Sequence, residues 1–134
     1  MKKYYKKDME SVLTHLSSTI PRHSVKLIFT TEEKKRLVHS PLFKAVSEAY
    51  HSEKLSIYGA LAWFINQSID LTINEVNNGK QLSKESQQIF YKLSHHALIL
   101  EQKSPSLKTN KKDLLVIKKA AQTGRDFIDL CTNE

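Results

Sequence analysis

Residues 55–79, LSIYGALAWFINQSIDLTINEVNNG, contain no lysine or arginine in a chain that carries 21 of them. Placed on a helix at about 100° per residue, ten apolar side chains spread over an arc of roughly 220°. They are Ile57, Ala60, Leu61, Ala62, Phe64, Ile65, Ile69, Leu71, Ile73 and Val76. Only Gly59, Asn66, Asp70, Asn74 and Asn77, with Trp63 among them, share the remaining strip. A helix this apolar has to be surrounded by other elements, so it is the expected core helix. Ser56 is placed to cap its start, and Asn77-Asn78-Gly79 to close it with a left-handed turn.

The flanking sequence is also mostly helical. With three Gly and three Pro in 134 residues, it is short of turn formers, and its length suits one domain. A short amphipathic helix is expected over residues 3–17. Thr30 with Glu33 forms a capping box opening a helix to about His39. Ser40-Pro41 opens another, with Leu42, Phe43, Val46, Ala49 and Tyr50 inward. Ser83 starts a helix whose stripe is Ile89, Phe90, Leu93, Ala97 and Leu100, with His96 at the core margin and His95 in solvent. Thr109 or Asn110 caps a last helix to about Cys131, with Leu114, Ile117, Ala120, Ala121, Gly124, Phe127, Ile128 and Cys131 on its inner face.

Between the first two helices, Val25, Leu27 and Phe29 alternate with Arg22, Ser24 and Lys26, the pattern of a strand. A lone strand leaves its backbone polar groups unpaired, so the segment is either an extended connector or pairs with itself in a second chain. The expected fold is mainly α. It is a single-domain helical bundle of five to six helices over residues 1–134, with at most one short strand, Val25–Phe29. Residues 22–79 form a candidate strand-helix-helix part, and 80–134 a helical hairpin for packing or oligomerisation. An arc of roughly 220° exceeds what a short strand and two small helices cover, so either the C-terminal helices or a second subunit must lie over it.

Chemistry is sparse. The chain lacks a glycine-rich phosphate loop, a G-x-S-x-G turn and an H-E-x-x-H pair. Glu48 and His51 have the spacing of a di-iron ligand pair, but no second E-x-x-H accompanies them. His95 and His96 point about 100° apart on a helix and cannot hold one ion together. Cys131 is the single cysteine, which excludes an internal disulfide. No catalytic, cofactor or metal site is expected, and the protein is not read as an enzyme. No apolar run reaches the roughly 18 residues of a membrane span, and the basic N-terminus lacks the apolar region of a signal peptide. A cytoplasmic protein without a membrane partner is expected.

The net charge is +7. Eleven basic and six acidic residues precede Leu55, so the excess stands mostly ahead of the core helix. It suggests an acidic partner, nucleic acid first, or a role in solubility alone.

The order strand, helix, helix resembles the ribbon-helix-helix family of bacterial DNA-binding proteins. The residues that carry the resemblance are the strand Ser24-Val25-Lys26-Leu27-Ile28-Phe29, the capped helix from Thr31, and Leu55-Ser56-Ile57-Tyr58-Gly59-Ala60-Leu61 opening the second main helix. The family implies two chains pairing their strands into a ribbon that enters the major groove. Arg22, Ser24 and Lys26 would then face DNA, while Val25, Leu27 and Phe29 would seal the dimer core. Ser56 and the N–H groups after it would grip a phosphate. The two further C-terminal helices are similar in layout to relaxosome accessory proteins of conjugative plasmids. Two functions are therefore open. One is a self-associating DNA-binding protein, a transcriptional repressor or plasmid accessory factor. The other is a helical-bundle module that binds another protein, as immunity proteins, secretion chaperones and phage-encoded inhibitors do.

Overall fold

The computed structural model describes residues 29–38 and 55–132, and these are mainly helical. Among them are four α-helices, α1 (Thr31–Val38), α2 (Ile57–Asn77), α3 (Lys84–Lys103) and α4 (Lys111–Thr132), with a short 3₁₀ turn at Ser104–Ser106. The helices expected over 3–17 and 41–50, and residues 25–28 of the expected strand, lie outside the described residues. Phe29, the last residue of that expected strand, is described and is not in a strand.

Local chemistry sets the helix ends. The Thr30 N–H donates to Glu33 Oε1 at 2.8 Å and the Glu33 N–H to Thr30 Oγ1 at 3.1 Å, a reciprocal capping box. Ser56 Oγ accepts the Gly59 N–H, and Ser83 Oγ accepts the Ser86 N–H. At the far end of α2 the Gly79 N–H reaches Val76 O and the Lys80 N–H reaches Glu75 O, both at 3.0 Å. This double bond pattern needs a left-handed residue, and Gly79 supplies it with φ +94°.

α2 lies against α4 and α3, and α3 lies along α4, so three long helices close one core. Phe64, Leu61, Ile65, Ile69, Leu93, Leu100, Ile117 and Phe127 are fully buried, each worth about 1.5–3 kcal/mol of apolar transfer. The wide apolar face of α2 is thus covered within one chain. The C-terminal helices fold back over it.

Several side chains depart from the sequence expectation. Leu71 and Leu114, expected inward, are 51% and 42% exposed, each at the edge of its stripe. In the opposite sense, Asn66 of the polar strip is buried and accepts the Thr123 hydroxyl of α4 at 2.6 Å, while Asp70, Asn74 and Asn77 of that strip stay exposed. His95 is half-covered and sits edge-on to Tyr91.

His96 is fully buried rather than marginal. Its Nδ1 lies 2.7 Å from the Lys92 carbonyl and its ring 4.5 Å from that of Phe29. Burial lowers the imidazole pKa from 6.5 to about 4, against the raising effect of the Lys92 carbonyl, with His95 and Lys92 lowering it further. Beside it, burial pushes the Glu33 carboxyl up, but bonds and charge from Lys92 and bonds from Thr30 outweigh this and hold it below its ordinary value. Glu33 and Lys92 form a largely buried ion pair at 2.5 Å, tying α1 to α3.

Both shifts act in one direction. A histidine whose folded pKa is depressed stabilises the fold above its ordinary value. That stability is lost as the pH falls from 6.5 toward about 4, because only the unfolded chain takes the proton. Urea unfolding at about pH 7.5 and about pH 5 should therefore differ by about 2 kcal/mol from His96. In His96→Gln the difference should shrink by that amount, and an unchanged difference would refute the assignment.

Candidate interaction surface

Of the residues expected to contact DNA, Arg22, Ser24 and Lys26 lie outside the described residues. Ser56 is described, and its N–H is engaged within the chain. The Ser56 N–H donates to Asp113 Oδ1 at 2.9 Å, and Asp113 is completely buried. The other carboxylate oxygen, Oδ2, accepts the Asn110 N–H at 2.9 Å, while Asn110 Oδ1 accepts the Asp113 N–H. One side chain therefore completes the capping box of α4 and also places its negative charge at the N-terminus of α2, where the helix dipole favours it.

Gly59 lets the carboxylate in. A Cβ there would stand 2.1 Å from Asp113 Oδ1. The start of α2 already holds an anion from its own chain, and a phosphate would have to stand against that carboxylate. Phe29, which the resemblance assigned to a dimer core, is buried on His96 of the same chain.

Among the described residues, the outer face of α4 is exposed. Asp113, Ile117, Ala120, Ala121, Gly124 and Phe127 take the inner face. Leu115 lies opposite and is 70% exposed. At three and four residues to either side of Leu115, the positions that surround it on a helix, stand Lys111, Lys112, Lys118 and Lys119, all exposed. Lys108 extends the group. No carboxylate among the described residues pairs with any of them; the ion pairs there are Arg36–Glu85, Lys80–Glu75, Lys92–Glu33 and Arg125–Glu101. Beside the leucine a shallow cavity of about 440 Å³ is walled by Leu114, Leu115, Ile117, Lys111, Lys118, Ser104 and Glu101.

Residues after Leu55 hold ten basic and eight acidic side chains, yet six of the ten fall between Lys103 and Lys119, where Asp113 is the single acid and is buried. The motif KKDLLVIKK, read for spacing around Leu115, was the available signal.

A second concavity, about 550 Å³, lies between α1, α2 and α3 beside Leu71, Leu37 and Phe64. Its charges are mixed and partly paired, Arg36 with Glu85 and Lys80 with Glu75. Among the described residues no three His, Cys, Asp or Glu side chains converge as metal ligands. No described helix is long and apolar enough to cross a membrane.

The chain matches no protein-family model, no curated protein and no solved structure.

Proposed function

We propose that this protein is a helical-bundle interaction module that acts by presenting an exposed face to another protein. The observation that carries the reading is the self-sufficiency of the core. Most of the wide face of α2 is buried within one chain, with α3 and α4 packed against it, and the Ser56 N–H and the Phe29 ring meet Asp113 and His96 of that chain. A ribbon-type DNA reader would use both of these to bind DNA or a second subunit.

Light scattering combined with a gel-shift on duplex DNA across a salt series tests this choice. The expected result is a monomer whose duplex binding is weak, non-specific and unaltered by Arg22→Ala or Lys26→Ala. A dimer whose duplex binding is lost in those two variants would overturn the proposal in favour of the DNA-binding reading.

A further inference from the structure

We infer that the outer face of α4 docks an acidic amphipathic helix of the partner protein, with an apolar side chain of that helix seated beside Leu115. The inference rests on the interaction-module reading and names the chemistry of its partner.

Three features of the surface specify the occupant. Its unpaired charge has one sign: Lys111, Lys112, Lys118 and Lys119 carry no carboxylate partner among the described residues, and Glu101 in the cavity wall is paired with Arg125, so a complementary surface supplies carboxylates. Its spacing is helical. Each lysine pair is seven residues from the other, about 10 Å along the axis, with Leu115 midway. A partner helix laid alongside repeats the same interval, so an apolar residue meets Leu115 while acids one turn before and after it meet the lysines. Its centre is apolar and concave. Leu115 at 70% exposure adjoins the cavity walled by Leu114 and Ile117, which offers a seat for one branched side chain.

The leucine also decides against the other anionic surfaces. On a nucleic-acid backbone Leu115 would be pressed among phosphates with nothing apolar to meet, and it would hold the lysines off. A lipid surface calls for a broad apolar face lying in the interface, whereas the apolar face of α4 is turned into the bundle.

The test uses the full chain and two fluorescein-labelled peptides of about 18 residues, long enough for partial helicity. One carries Glu with Leu at helical spacing, and the other has every Leu replaced by Ala. Fluorescence anisotropy at about 50 mM and about 300 mM salt measures binding. The Leu peptide should bind, weaken with salt, and exceed the Ala peptide by about tenfold or more. Leu115→Ser and the double variant K118E/K119E should each lose about tenfold, with the thermal midpoint unchanged because all three side chains are exposed.

Equal binding of the two peptides would overturn the inference, since charge alone would then explain it. So would absent binding of the Leu peptide. Binding to a duplex of about 20 base pairs, or to phosphatidylserine vesicles, that is lost in the same variants would assign the face to another class of partner. If the peptides fail while the chain is monomeric and indifferent to Arg22→Ala and Lys26→Ala, only the docking inference falls. Dimerisation with duplex binding lost in those two variants removes the interaction reading with it.

Discussion

Asp113→Ala is expected to destabilise the protein by about 3 kcal/mol, a large effect for removing one carboxylate. The side chain accepts the Ser56 N–H and the Asn110 N–H, each at 2.9 Å, from full burial. Its loss breaks the capping box of α4, worth about 1 kcal/mol, and leaves the partly buried Ser56 N–H without its acceptor, at about 1–3 kcal/mol. The same geometry makes a sharper prediction about Gly59. In an open helix Gly→Ala stabilises by about 1 kcal/mol. Here the new Cβ would stand 2.1 Å from Asp113 Oδ1 and 2.9 Å from its Cγ, so Gly59→Ala should destabilise by about 2–3 kcal/mol by expelling the carboxylate. In the Asp113→Ala background the carboxylate is gone and only the Leu55 Cδ2 methyl at 3.2 Å has to give, so Gly59→Ala should be close to neutral. Urea unfolding of the four proteins measures the coupling, expected at about 2 kcal/mol or more. Additive effects would show that Asp113 does not occupy the start of α2.

Gly124→Val is expected to cost about 3 kcal/mol or more, and Gly124→Ala about 1–2 kcal/mol. A Cβ at Gly124 would lie 2.9 Å from the Ser94 carbonyl oxygen and 3.2 Å from Ser94 Cα. These are backbone atoms within α3 and cannot rotate aside. Relief requires α3 and α4 to separate along a seam that also holds the Phe90–Phe127 ring pair, with centroids 6.3 Å apart. An added gap of about 0.5–1 Å forfeits roughly a quarter to a half of the dispersion attraction across such a seam. The measurement is chemical denaturation with the slope held to the wild-type value. An Ala variant more stable than wild type would show that the two helices do not approach this closely.

Much of the scaffold was legible in the sequence. Thr30, Ser56, Ser83 and Gly79 are legible as helix boundaries, and of the two candidates Thr109 and Asn110 the structure has Asn110 as the cap. Capping is a contest between groups three or four residues apart, so the sequence window contains both partners. The stripes of α2, α3 and α4 were legible for a similar reason, because a helical repeat places its own side chains on one face whatever comes to cover it. The edges of those stripes were not. Leu71, Leu114 and Asn66 were each assigned to the wrong side, since burial at a margin depends on where the neighbouring helix passes.

The candidate surface was legible only in retrospect. The KKDLLVIKK motif contains the ring of lysines, but whether Leu115 is a core residue or an exposed anchor depends on which arc of α4 meets α2 and α3. The sequence by itself determined where the described helices start and stop and which residues each aligns along one face, because those are local matters of hydrogen-bond ends and of 3.6-residue geometry. Only the tertiary structure decided that α2 is covered by its own chain, that Asp113 takes the end of α2, that His96 is buried, and that Leu115 is left outside. Each of those depends on two segments far apart in sequence coming within a few ångströms, and no local pattern encodes that approach.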